Sequence, residues 1–218
     1  MQKHATIAAV LALAGAFPGC LSSEPSGGGS SGSAGGQAAA SEMRPSALAL
    51  ASAMEALGLS KNAPGLLVLT NAGFGNQDGR TTEEFPDVVT EVTGCSAGRR
   101  TLLCVHTPAA APLWFAAFGR ESRKMVFSSW SGGRFESELL DAKAGILEDE
   151  GAMKAASAGL AGRRFFQVMS ISEAWAEGAD WELLKCAEFH NHCCGGVTSG
   201  YLAGKYIMAN LPLRPLPC

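Results

Sequence analysis

The chain has no apolar run long enough to cross a bilayer. An apolar segment extends from Ile7 to Phe17, but its eleven residues fall well short of the roughly twenty that a spanning helix needs. That length suits the core of a secretory signal instead. Basic residues do not gather either: 17 Lys and Arg stand against 20 Asp and Glu, for a formal net charge of −3. With no basic stripe along the chain, nothing recommends nucleic acid as a partner. Cys-x-x-Cys-His is missing, so covalent haem attachment has no motif, and no iron–sulfur or molybdopterin pattern is present. Gly73, Gly75 and Gly79 lack the spacing and following helix of a nucleotide-binding loop, and read as a turn.

What is present begins with Lys3 ahead of the apolar segment, which closes on Phe17-Pro18-Gly19-Cys20. A small residue before a cysteine resembles a bacterial or archaeal lipobox. The expectation is a lipoprotein signal peptide over 1–19 and a product that starts at a lipidated Cys20, held extracytoplasmically on the cell membrane, periplasmic or at the cell surface. Ordinary signal cleavage leaving an unmodified thiol is the alternative. Residues 21–42 are almost entirely Ser, Gly, Ala, Pro and Gln, which cannot bury enough surface to offset ordering, so 20–44 reads as a disordered tether. About 175 residues then remain for one core or two small ones.

Within that part the sequence predicts an α+β fold, a mixed or antiparallel sheet with packed helices. A helix is expected from Pro45 to Leu59 with Gly58 as its stop, a buried strand at Gly65–Thr70, and a helix at Phe85–Thr93 with Pro86 in its first turn. Thr101–His106 and Leu113–Phe118 look like a hairpin, which Lys124–Trp130 extends; weak alternation in all three predicts that both sheet faces are covered. Leu139–Leu147 and Ala152–Leu160 read as helical with a break at Asp149-Glu150-Gly151. Gly162–Ser170 reads as a strand, Ile171–Ala176 as a helix capped by Ser172, and Asp180 opens a further helix through Leu183, Leu184 and Ala187. Trp175 and Trp181 are most simply core.

The densest chemistry lies at Phe189-His190-Asn191-His192-Cys193-Cys194-Gly195-Gly196. Two of the four histidines and two of the seven cysteines fall within five consecutive residues. If residues 189–194 are extended, His190, His192 and Cys194 share one face while Asn191 and Cys193 take the other. A helix follows, with Thr198 or Ser199 available to cap it and Val197, Tyr201, Ile207, Met208 and Leu211 at helical spacing. A thiol just ahead of a helix N-terminus meets the positive end of the macrodipole, which favours thiolate.

This stretch, running on to Gly200-Tyr201, resembles the Phe-His-Gly-His-x-Cys-Pro-Gly…Gly-Tyr signature of the FmdE family, named for a component of formylmethanofuran dehydrogenase. His190, His192, Cys194, Gly196, Gly200 and Tyr201 carry the match. The departures are Asn191 in place of Gly and Gly195 in place of Pro, the second of which is expected to loosen the turn. Val92-Thr93-Gly94-Cys95-Ser96-Ala97-Gly98-Arg99 is similar to the family's Thr-Gly-Cys-Thr-x-Gly-Lys element, although in the family that element follows the histidine motif. A tandem arrangement accounts for this order, with an FmdE-like core unit at 45–150 and a second, incomplete unit at 151–218 carrying the histidines. Either the reading frame is truncated, or the C-terminal motif docks on the first unit's sheet and brings His190, His192 and Cys194 beside Cys95. The resemblance implies an α+β core and leaves activity open.

Mixed imidazole and thiolate ligation favours zinc or another late first-row transition ion over magnesium or calcium. The expected ligands are His190, His192 and Cys194, with Cys95, His106 or water in the fourth position. No general base stands out, and Glu188 can equally be surface charge. Cysteine arithmetic supplies the competing reading. Setting Cys20 aside, Cys95, Cys104, Cys186, Cys193, Cys194 and Cys218 form an even set in a compartment that permits disulfides. Cys95 with Cys104, and Cys186 or Cys218 with Cys193, are the candidate pairs. The chain is thus expected to be a lipid-anchored, metal-binding protein, or else a disulfide-stabilised accessory or binding module of a membrane complex without metal.

Overall fold

The computed structural model describes residues 44–211. The expected signal peptide, Cys20, the tether through residue 43 and Cys218 lie outside them. The elements run α1 (Arg44–Leu57), β1 (Leu66–Thr70), α2 (Phe85–Thr93), β2 (Leu102–Cys104), β3 (Trp114–Gly119), β4 (Lys124–Ser131), β5 (Arg134–Asp141), a 3-10 turn (Ile146–Glu148), α3 (Glu150–Ser157), α4 (Arg164–Ala176), α5 (Trp181–His190) and α6 (Gly195–Asn210). The strands form one mixed sheet in the order β2-β1-β3-β4-β5, with only the β1–β2 pair parallel. The fold is α+β.

Alternation along the strands sends side chains to two cores, one on each face, which is why the strands read as apolar runs. On one face Leu66, Val68, Leu102, Phe115, Ala117 and Val126 meet α1 and α2. Helix α1 supplies Leu50, Ala53, Met54 and Leu57 at helical spacing and ends at Gly58, whose φ is 65°. Helix α2 carries Pro86 in its first turn and closes on a left-handed Gly94. On the other face Leu67, Leu69, Leu103, Trp114, Ala116, Phe118, Met125 and Phe127 pack against α4 and α5. Each Leu, Val, Phe or Met side chain so buried contributes roughly 1.5–3 kcal/mol.

Three local expectations are corrected. The segments containing β2 and β3 do not form a hairpin, because β1 lies between them and pairs with both: Val68 is opposite Leu102 on one side and Ala117 on the other. All five β1 residues are buried, and a strand that apolar makes a better centre than an edge. Leu139–Leu147 is not a helix; Leu139 to Asp141 complete β5, which returns from β4 through Gly132 and Gly133, both at positive φ. A Gly-Gly step between two strands fits a tight two-residue turn. Residues 162–170 are not a strand but lead into and form α4, where Phe165, Val168, Met169, Ser172 and Trp175 are buried at i, i+3, i+4, i+7 and i+10. Ser172 is therefore interior rather than a cap. Asp149 does act as a helix boundary, but as the N-cap of α3, accepting the Ala152 N–H at 2.9 Å.

Candidate metal centre

The site is built where two helices meet at a corner. Helix α5 buries Leu184, Ala187 and Glu188, and Glu188 ties it to the sheet. One oxygen of the Glu188 carboxylate accepts the backbone N–H of Cys104 at 2.6 Å, the other pairs with Lys185, and the Glu188 carbonyl accepts the His106 N–H at 3.0 Å. Glu188 is thus a buried anchor, not surface charge.

The helix stops after His190 because Asn191 adopts a left-handed φ of 71°, a conformation that asparagine tolerates better than most residues. Two residues later the chain enters α6, with Cys194 extended (φ −140°, ψ 172°) at its N-cap. Residues 189–194 are therefore a helix end, a corner and a helix start, not a strand, and the cap is Cys194 rather than Thr198 or Ser199. An extended run would hold His190 and Cys194 about 13 Å apart along the backbone. The corner does better: one donor atom from each of His190, His192 and Cys194 lies within 4.8 Å of the others. The imidazole rings are 4.5 Å apart between centroids at 42°.

Neighbouring groups set the form of His192. Its Nδ1 lies 2.9 Å from Asn191 Oδ1, and a carbonyl oxygen only accepts, so Nδ1 carries the proton and Nε2 keeps its lone pair. Burial, then the charge of His190, hold the His192 ring below its ordinary value of 6.5, against a backbone hydrogen bond that raises it. The neutral ring is the form that ligates. Phe166 lies against it, with 5.4 Å between centroids. Cys193 turns the other way and packs against the core shared with α4 and α5, its N–H donating to Ser170 Oγ at 3.0 Å. Burial pushes its thiol up. The supporting roles of Asn191, Ser170 and Phe166 do not follow from the motif alone. An asparagine closing a helix is the one legible signal.

Two expected fourth ligands are elsewhere. Cys95 belongs to the core on the opposite sheet face, its thiol directed to the Leu66 carbonyl at 3.7 Å and pushed up mainly by burial. His106 is exposed, with its ring between those of Phe74 and Phe189. Neither joins the group of three. Cys104, whose thiol is pushed up to about 11 by burial and then by the Glu188 charge, is likewise no ligand. All five described cysteines, Cys95, Cys104, Cys186, Cys193 and Cys194, are free, so the Cys95–Cys104 and Cys186–Cys193 bridges are not formed.

A single carboxylate steadies the far side of the corner. Asp180 Oδ2, at the start of α5, accepts the Tyr201 hydroxyl at 2.6 Å and Lys205 Nζ at 2.8 Å. Beyond that clasp, α6 buries none of its residues. Two imidazoles and a thiol so disposed can hold a metal ion. His190 is exposed and the other two are half-buried, so the donor group is reachable from solvent. Among the described residues no helix is long and apolar enough to cross a membrane. No protein-family model matches this chain, and neither a curated protein nor a solved structure matches it.

Proposed function

We propose that the protein is an FmdE-like, membrane-tethered extracytoplasmic protein that binds zinc, or another late first-row transition ion, through His190, His192 and Cys194. The observation that carries the reading is the convergence of those three donor atoms within 4.8 Å. Nitrogen and sulfur donors together select late first-row ions over oxygen-loving magnesium or calcium. Three protein donors in a group reachable from solvent match the donor count of an open zinc site, at which an ion would supply Lewis acidity. Here the protein's part is to fix the donors. Asn191 sets the His192 tautomer, and α5 and α6 aim His190 and Cys194 from either side of the corner.

Both departures from the FmdE signature fall where the family's residue would also fit. Position 191, glycine in the signature, has the left-handed backbone that glycine favours. Position 195, proline in the signature, is the first residue of α6, the place in a helix that proline prefers. The residue before it is extended, as a proline requires. These matches support the resemblance through backbone conformation rather than residue identity. Anchoring rests on the Phe17-Pro18-Gly19-Cys20 sequence, and the membrane is the partner it implies.

Metal analysis of the full chain beside a His190→Ala/His192→Ala variant tests the centre. One transition ion per chain, lost in the variant, is expected; equal metal in both removes the proposal. Membrane fractionation of a Cys20→Ser variant tests the tether, and association that does not change removes that part.

A further inference from the structure

Helix α6 has few of the supports that keep a helix folded. It has no buried residue, no side-chain hydrogen bond at its N-cap, no acidic residue in its first turn and no basic residue in its last. Every residue from Leu202 to Asn210 is exposed. Gly200 and Gly204 lie in its interior, where glycine is the least favourable residue after proline. Even alanine-rich helices shorter than about 12–15 residues are marginal in water, and this glycine-bearing helix of sixteen is far from alanine-rich. Detached from the body of the protein, α6 melts.

Its attachments to that body are slight. Val197 is only partly buried against the core beneath α4 and α5. Asp180 holds Tyr201 and Lys205, but the Asp180–Lys205 pair is more than half exposed on both sides, and such pairs add little. Helix α5 is the opposite case, fixed by buried Leu184 and Ala187 and by Glu188 on the sheet. His190 is the last residue of this anchored helix, and Cys194 is the N-cap of α6. Their donor atoms lie within 4.8 Å of each other, so ligation of one ion by both would join the unsupported helix to the supported one.

We infer that α6 is a metal-dependent arm: ligation at His190, His192 and Cys194 keeps it folded against α5, and without a ligated ion it opens and recloses while the rest of the chain stays folded. The inference rests on the metal centre proposed above and assigns that centre a conformational output. An ion that binds only the closed corner suppresses opening by one plus the ratio of its free concentration to its dissociation constant. Occupancy of the site is thereby passed along a helix about 24 Å long, as far as Asn210, well beyond the reach of the ligands themselves.

Hydrogen–deuterium exchange of the full chain, in chelator and in buffered zinc at about 100 times the measured dissociation constant, is the test. In chelator the amides of Leu202–Asn210 are expected to exchange at least about tenfold faster than those of Leu66–Thr70, because they open locally. Zinc is expected to slow them by about 100-fold. A His190→Ala/His192→Ala variant should show no zinc effect, whereas Cys186→Ala, which removes an exposed thiol outside the donor group, should respond as the parent does. Zinc that binds yet slows these amides less than about tenfold overturns the inference and leaves the metal centre standing. Equal exchange of α6 and β1 in chelator overturns it as well, as does a zinc effect that survives in the double histidine variant or disappears in Cys186→Ala. A chain that binds no zinc removes both the inference and the centre.

Discussion

The two sheet faces and the C-terminal corner are built on opposite terms. Along β1, β3 and β4 nearly every side chain is buried and every strand is paired, so the sheet is held by packing and backbone hydrogen bonds together. From His190 onward, by contrast, α6 buries nothing and hangs on a cap, a clasp at Asp180 and a few partial contacts. The fold is thus secured in one region, and the donor atoms are displayed in another. Glu188 is the joint between them, part of the buried framework yet two residues from the first ligand. The difference separates two kinds of variant: those that unfold the chain, and those that disarm it while it stays folded.

Phe127→Ala should strain that division most, because the ring is fully buried and stacks on Trp114 at 5.8 Å between centroids. A loss of about 3–5 kcal/mol in urea unfolding is expected, with metal binding lost only as the chain unfolds. His190→Ala/His192→Ala should do the reverse, abolishing metal binding while the metal-free unfolding free energy changes by less than about 0.5 kcal/mol. A large stability loss there would mean that the corner is part of the framework after all. Glu188→Ala sits between, and should cost about 1–3 kcal/mol by leaving the Cys104 N–H without its acceptor, with weakened metal affinity as the corner drifts.

Gly195→Pro sharpens the comparison from the other side. A Cβ at Gly195 meets nothing within 4 Å, and the site suits proline, so thermal unfolding should rise by the equivalent of about 0.5 kcal/mol. The smallest effect is the pH dependence of His192. The unfolded ring takes its proton near 6.5, the folded ring at lower pH. The unfolded state therefore binds more protons as pH falls through that window, and stability drops with it. A His192→Ala variant followed in chelator from roughly pH 7.5 to roughly pH 5 should lack this part of the slope.

Much of the framework is legible in the sequence. Pro86 and Gly94 bracket α2 by their fixed and left-handed backbones, and Gly58 closes α1, because such residues act locally. Strand pairing is not local: Leu66–Thr70, Leu102–Cys104 and Trp114–Gly119 are all apolar, and nothing in their composition says which one is central. At Arg164–Ala176 the helical spacing of Phe165, Val168, Met169 and Trp175 competes with the β-favouring look of Phe-Phe-Gln-Val, and the spacing wins. The three donors are legible as a group, although for a different geometric reason. Even-numbered spacing suggests a strand face, whereas Asn191 and the α6 cap fold the same residues around a corner. Cys95 cannot be placed from sequence, since the side of the sheet it occupies depends on where α2 packs.

The carboxylate of Glu188 has a further consequence at the rim of the sheet. β2 is an outermost strand, and its free backbone N–H groups would otherwise be a template for another molecule's strand. By taking the Cys104 N–H, and by offering its own carbonyl to His106, Glu188 shuts that template along the short span where it would be open. At the opposite rim Glu138 on β5 receives the Leu160 N–H at 2.7 Å, so the chain's own backbone is drawn against that strand too. At the β2 rim, then, an acidic residue from a neighbouring helix covers backbone donors that a foreign strand would otherwise meet.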